Sequence, residues 1–152
     1  TDYIWELPAE EGGQIGEVIE HLLHTITAVG FQLAFPETWD YMNPSSLISL
    51  ATQEAVDKGI YDVSSYAELQ DDPEGYKKVL ATEYAYWLIL AEWDYFEIAD
   101  KKQDGISGND EFSIGTSAEI ATQLPLGHQL YQEHVAPILS VPNSQLIKSL
   151  FP

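Results

Sequence analysis

The spacing of apolar residues near the N-terminus constrains the fold more than any other feature of the chain. Between Gln14 and Val29, apolar residues recur every three or four positions, which is typical of one buried face of an α-helix. They are Ile15, Val18, Ile19, Leu22, Leu23 and Ile26. Gly30 follows and is predicted to end this helix, because glycine readily adopts the conformation that closes a helix.

Further helices are predicted where a capping side chain or a proline suits the first turn. These starts are Ser45 or Ser46, Asp72-Pro73, Thr116 or Ser117, Pro125 and Asn143. The longest helix is predicted to run from Pro73 to about Ala99 and is dense in aromatic residues. Residues 1–13 are predicted to be an extended lead-in, and residues 100–115 a polar loop with room for a small hairpin or short strands.

The length of 152 residues and the apolar content of 45% suit one domain with a sizeable core. No internal repeat or interdomain linker divides the chain. We therefore predict a single all-α domain over residues 1–152. The first residues, Thr1-Asp2-Tyr3, are predicted to be a processed start, because they lack both an initiator Met and a basic segment.

The charge of the chain limits its partners. Asp and Glu number 25 against six Lys and no Arg, which gives a net charge of −19. A nucleic acid or an anionic membrane surface would need a basic face, so neither is predicted as a partner. No apolar run approaches the ~18 residues of a membrane-spanning helix. The acidic surface favours a secreted or cell-surface protein in a saline setting, and the alternative is a generic acidic domain whose charge serves solubility.

Absent motifs exclude several kinds of chemistry. The chain has no Cys, so disulfides, Cys-zinc sites, iron–sulfur clusters and thiol catalysis are excluded. It also has no Gly-x-Ser-x-Gly motif, no phosphate-binding loop and no dinucleotide motif.

Two of the four histidines lie close together on the first helix, in the segment Glu17-Val18-Ile19-Glu20-His21-Leu22-Leu23-His24. At 100° per residue, three side chains fall within about 60° of one another, opposite the apolar face. They are Glu17, His21 and His24, and Glu20 borders them. Imidazole and carboxylate are the ligands that zinc takes when no thiolate is present. The segment is therefore predicted to bind a divalent metal; the alternatives are a solvated polar face and a histidine general base without a metal.

A further ligand is predicted on the long helix. Glu83 lies in a stripe that is otherwise apolar or aromatic, formed by Val79, Leu80, Tyr86, Trp87 and Leu90. Asp94 falls on nearly the same side of the helix. A carboxylate in such a stripe is costly to bury without a partner. A metal ion or a histidine of the first helix would supply one, and the alternative is a hydrogen bond from a buried Tyr or Trp.

The segment Glu20-His21-Leu22-Leu23-His24 resembles the His-Glu-x-x-His motif of the gluzincins, a group of zincin metallopeptidases, with its first two letters exchanged. The segment from Glu17 to His21 also resembles the inverted motif His-x-x-Glu-His, with Glu in the first position. In gluzincins a later helix donates a Glu ligand, a position that Glu83 matches. The resemblance implies zinc ligands at His21, His24 and Glu83, with Glu20 or Glu17 as the general base acting on a bound water and a peptide as substrate. Since neither motif is intact, a site that binds zinc without hydrolysing peptides is also implied.

The segment from Glu20 to Thr27, with Gly30 and the aromatic-Pro turn that follows, also resembles uncharacterised domains of large secreted or surface proteins of aquatic bacteria. This second resemblance covers about residues 17–95 and implies no activity. A different class of function is a structural or assembly protein, such as a surface-layer, filament or adhesin module, whose acidic surface binds cations. Its self-association would use the apolar ends of the chain, Tyr3-Ile4-Trp5 and residues 146–151, and the alternative is that these ends fold back onto the protein's own core.

Weaker patterns suggest further sites. Asp100, Asp104, Gly105 and Glu111 fill four positions of an EF-hand loop, which predicts calcium binding, with a surface turn as the alternative. His128 and His134 are predicted to be surface or hydrogen-bonded histidines, since they lie on different faces of their helix. The aromatic residues of the long helix are predicted to be core, with a carbohydrate or ligand platform as the alternative.

Overall fold

The computed structural model describes residues 14–96 and 109–150, and this part of the chain confirms the predicted all-α fold. It contains eight α-helices: α1 (Gln14–Thr25), α2 (Gln32–Ala34), α3 (Pro36–Trp39), α4 (Leu47–Asp57), α5 (Pro73–Glu92), α6 (Ser117–Gln123), α7 (Pro125–Leu130) and α8 (Ser144–Leu150). One 3₁₀-helix and two π-helices complete the helical structure: Ser64–Asp71, Ile26–Phe31 and Tyr131–Val135. In the described residues the only β feature is an isolated antiparallel bridge between Tyr61 and Phe112. The predicted lead-in and residues 100–108 of the predicted loop lie outside the described residues.

The helix α5 lies at the centre of the fold. It contacts α1, α4, α6, both π-helices and the 3₁₀-helix. From Tyr84 onward nearly every side chain of α5 is buried, because neighbouring elements cover it on several sides. The aromatic residues of α5 are thus mostly core, as predicted. Within the described part of the chain, α5 and the other helices all lack the combination of length and apolarity that a membrane span requires.

Side-chain caps define four of the helix starts. The residues Ser46, Asp72, Thr116 and Asn143 each accept a hydrogen bond from a backbone N–H group of the following turn. Thr116 also forms a reciprocal capping box with Glu119. All four caps match predicted helix starts, since N–H groups of the first turn that lack a helical partner require such acceptors.

The prediction that Gly30 ends the first helix is wrong. The helical backbone continues from α1 through the π-helix Ile26–Phe31 into α2. The run ends at Phe35, whose backbone leaves the helical region with φ −130° and ψ 58°. Pro36 explains that end, because the residue before a proline is disfavoured in the helical conformation.

The prediction that the long helix continues to about Ala99 is also wrong, since α5 ends at Glu92. Two residues later Asp94 adopts a φ of 52°, the left-handed conformation that commonly closes a helix. Its side chain accepts a hydrogen bond of 3.0 Å from the backbone N–H group of Ser117, the first residue of α6. Because Asp94 lies beyond the end of α5, it is not on the same helix face as Glu83, contrary to the prediction.

Two glycines make a matched test of the packing. A methyl group at Gly127 would overlap the hydroxyl oxygen of buried Tyr84 and lie 3.1 Å from Leu88 Cδ1, whereas one at Gly30 would meet nothing within 4 Å. We expect Gly127→Ala to destabilise the protein by about 1–3 kcal/mol. Gly30→Ala should instead stabilise it by about 0.5–1 kcal/mol, because alanine favours helical conformations. Urea denaturation followed by tryptophan fluorescence measures both, and equal effects of the two substitutions would contradict the packing around Tyr84.

Candidate metal centre

Two helices bring three potential metal ligands together. Glu20 and His24 lie four residues apart on α1, so their side chains project from the same face one turn apart. Buried Ile19 and Leu23, the residues just before them, belong to the core on which α1 packs against α5. Glu83 is on the facing part of α5. One potential ligand atom of each of Glu20, His24 and Glu83 lies within 4.8 Å of the other two.

The distance between His24 and Glu83 fits a shared metal ion. His24 Nε2 lies 3.4 Å from Glu83 Oε2, which exceeds the usual range of a hydrogen bond between nitrogen and oxygen. Two ligands of a tetrahedral zinc ion at its usual bond lengths are about 3.3 Å apart. The His24 side chain is only 8% exposed, and its ring packs edge-on against Tyr86 with ring centroids 5.9 Å apart. This packing restricts the imidazole to a narrow range of orientations.

Negative charge accumulates at this site. Burial is the main reason why the pKa of Glu20 rises from its usual value of 4.5 to about 7, and repulsion from Glu83 and Glu17 adds to it. The neighbouring histidines, His24 and His21, oppose the rise. A divalent cation between Glu20 and Glu83 would remove their repulsion, because it places two positive charges next to both carboxylates.

The structure groups only part of the predicted ligand set. Among the described residues, the potential ligand atoms of Glu20, His24 and Glu83 form one cluster, and His21 and Glu17 are not members of it. The His21 ring is stacked on that of His24, with centroids 6.3 Å apart and planes 17° from parallel. Glu17 lies three residues before Glu20 and raises its pKa. The ligand roles of His21 and Glu17 and the general-base roles of Glu20 and Glu17 stay predictions.

A cleft of about 230 Å³ opens beside the cluster, and His24 and Glu83 form part of its wall. The other residues of its wall are Thr25, Ala28, Val29, Lys78, Val79 and Thr82. Ala28 and Val29 belong to the π-helix, whose position the apolar spacing of the sequence does not reveal. The cleft therefore adjoins the side of the cluster formed by His24 and Glu83.

A second buried polar group lies at the C-terminal end of α5, and sequence reasoning missed it. The Glu92 side chain is 0% exposed, and its Oε1 lies 2.7 Å from His128 Nδ1. The Ser117 hydroxyl donates a hydrogen bond of 2.7 Å to its Oε2. His128, predicted to be a surface or hydrogen-bonded histidine, is thus hydrogen-bonded. The run of apolar residues just before Glu92 could have indicated a buried carboxylate, by the argument used for Glu83.

Three residues of the predicted calcium loop, Asp100, Asp104 and Gly105, lie outside the described residues. Glu111 can be placed. Its Oε1 accepts hydrogen bonds from the Tyr66 hydroxyl at 2.7 Å and from Trp87 Nε1 at 3.0 Å. Glu111 therefore fixes aromatic side chains, and the calcium site stays a prediction.

Known proteins provide no independent guide to this cluster. The chain matches no model of a protein family, no curated protein and no solved structure. The zincin resemblance and the resemblance to proteins of aquatic bacteria therefore stay predictions.

Proposed function

We propose that this protein binds one divalent metal ion, zinc, through Glu20, His24 and Glu83. The observation that supports the proposal is the convergence of one imidazole and two carboxylates from two helices within 4.8 Å. Oxygen ligands alone would suit calcium or magnesium, whereas the imidazole favours a transition metal. Zinc forms stable sites with this combination of ligands.

Three protein ligands would leave a fourth position of a tetrahedral zinc ion open, as in catalytic zinc sites and unlike structural ones. A small ligand would reach that position from the cleft, because His24 and Glu83 form part of the cleft wall. We therefore propose a site that exchanges a bound water for a small ligand. We propose more specifically that the site hydrolyses peptides as zincins do. Glu17 would then be the general base, because Glu20 would be a metal ligand.

Zinc stoichiometry tests the proposal. The purified protein, dialysed against zinc in the presence of calcium and magnesium, should retain about one zinc per chain when measured by mass spectrometry. Glu83→Gln and His24→Ala each remove a ligand and should weaken zinc affinity by about 100-fold or more. His21→Ala tests the ligand set directly, because its affinity should change far less than that of His24→Ala.

The matched control for Glu83 is Glu74→Gln, an exposed carboxylate on the same helix, which should bind zinc as the wild type does. Retention of no zinc by the wild type would overturn the proposal. Equal losses in His21→Ala and His24→Ala would contradict the ligand set and favour the set predicted from sequence.

The alternative, a non-catalytic assembly protein, has one observation in its favour. Several large apolar side chains of the described residues are exposed on the first helical run and on α8, among them Leu22, Val29, Leu33, Leu146 and Leu150. Exposed apolar surface of this kind is typical of contacts between proteins. A secreted or cell-surface location is proposed for either function, supported by the net charge of −19.

A further inference from the structure

One lysine lies beside the proposed metal centre in an otherwise strongly acidic chain. Lys78 is an exposed residue of α5 and forms part of the wall of the cleft, together with His24 and Glu83. The ion pairs of the described residues do not include Lys78. Lys78 therefore brings one of the chain's six lysines to the wall of this cleft, beside the proposed metal centre.

Metal binding would change the charge of the cleft. Without a metal, the carboxylates of Glu83 in the wall and of Glu20 in the adjoining cluster oppose the single positive charge of Lys78, so the site disfavours anions. A divalent ion balances both carboxylates, and Lys78 then leaves the cleft with a net positive charge. The cleft would therefore accept anions only when the metal is bound.

The rest of the wall limits what such an anion can be. Ala28, Val29 and Val79 supply apolar surface. Thr25 and Thr82 donate their hydroxyl protons to backbone carbonyls within their own helices, at 3.0 Å and 2.7 Å. Their hydroxyls are thus engaged as donors and offer little further recognition of a polar ligand. A volume of about 230 Å³ suits a molecule of a few carbon atoms.

We infer that the cleft binds a small organic carboxylate with a short apolar tail, whose carboxylate lies between the bound metal and the Lys78 ammonium. The apolar tail packs against the two valines. This inference rests on the metal site proposed above, and it names the class of ligand that the open coordination position receives. It also makes binding of the metal and the carboxylate mutually favourable, since each raises the affinity of the other by the same factor.

Butyrate is a suitable probe, with butyramide as its uncharged counterpart. Methyl NMR spectra of the zinc-loaded protein report binding at the cleft through the signals of Val29 and Val79. We expect butyrate to shift both signals in the zinc-loaded protein and to leave them unchanged in the zinc-free protein. Butyramide should bind at least about tenfold more weakly.

Lys78→Gln should weaken butyrate binding about five- to tenfold and leave zinc stoichiometry at the wild-type value. Lys77→Gln is the matched control, because Lys77 is exposed on the same helix and is not part of the cleft wall. Its butyrate affinity should equal that of the wild type.

The outcomes separate the two proposals. A protein that retains zinc but binds butyrate no better than butyramide, or equally well in Lys78→Gln, would overturn the carboxylate site and leave the metal site intact. Butyrate binding that is equal with and without zinc would overturn it as well. If the wild type retains no zinc, the stoichiometry measurement overturns the metal site and therefore also the carboxylate site that depends on it.

Discussion

Zinc should reverse the effect of Glu20→Gln on stability. In metal-free protein at pH 8 we expect the variant to be more stable than the wild type by about 1–2 kcal/mol, after allowance for partial solvent screening. With zinc at about 1,000 times its dissociation constant, the wild type should gain about 4 kcal/mol. The variant lacks a ligand and should gain much less, so the order of the two stabilities is inverted.

The metal-free half of this prediction follows from the pKa of Glu20. Burial, Glu83 and Glu17 raise it from 4.5 to about 7 in the folded protein. A carboxyl group whose pKa is raised by folding stabilises the fold most while it is protonated. This contribution is complete below pH 4.5 and is lost as the pH rises through 7. Glutamine keeps the shape of the protonated carboxyl group and removes its titration, so the difference between variant and wild type should develop between pH 4.5 and 7.

Urea denaturation at pH 4 and pH 8, with either a chelator or zinc, measures the reversal. Glu68→Gln is the control, because Glu68 is an exposed carboxylate outside the cluster and its substitution should not respond to zinc. A wild type that is more stable than Glu20→Gln in the chelator at pH 8 would show that Glu20 is not repelled there. A wild type that zinc does not stabilise would argue against the metal centre itself.

Local patterns predicted much of the fold. The caps at Ser46, Asp72, Thr116 and Asn143 are decided by hydrogen bonds within a few residues, so the sequence predicts them directly. The π-helix after Thr25 and the end of α5 at Glu92 are different. They depend on which side chains the neighbouring helices bury, and apolar spacing along one helix contains no such information.

The candidate site was predictable in composition but not in detail. Because histidine is scarce in the chain, the two histidines of α1 indicated a site there. Glu83 was indicated because it is a carboxylate in an otherwise apolar stripe. A helical wheel of α1 places Glu20 at the border of the polar face. It cannot show that Glu20 faces α5, because it uses only the spacing of residues along one helix. The contact between α1 and α5 turns Glu20 and His24 toward Glu83 and leaves His21 outside the cluster. The place of Lys78 in the cleft wall likewise depends on how α5 packs beside the first helical run, which the sequence of one helix does not contain.

The second large effect on stability should come from His128→Ala, which removes a partner of the buried Glu92 carboxylate. Glu92 has its side chain fully buried and has two polar partners, His128 Nδ1 and the Ser117 hydroxyl. His128→Ala removes the first partner and leaves a buried carboxylate with a single hydrogen bond. Breaking a buried pair in this way costs about 3–5 kcal/mol, and because the His128 side chain is 35% exposed we expect about 3 kcal/mol here.

A second substitution distinguishes a buried charge from a lost packing contact. In the double variant Glu92→Met/His128→Ala the carboxylate is gone, so no charge remains buried without its partner, and a flexible apolar side chain of similar length fills its place. We expect the double variant to be more stable than His128→Ala alone, even though it has two substitutions. Gln132→Ala is the control, because Gln132 is exposed in the π-helix after α7 and should change stability by less than about 0.5 kcal/mol. If urea denaturation shows the double variant to be the least stable of the four proteins, the Glu92 carboxylate contributes through packing, and the argument from its buried charge is wrong.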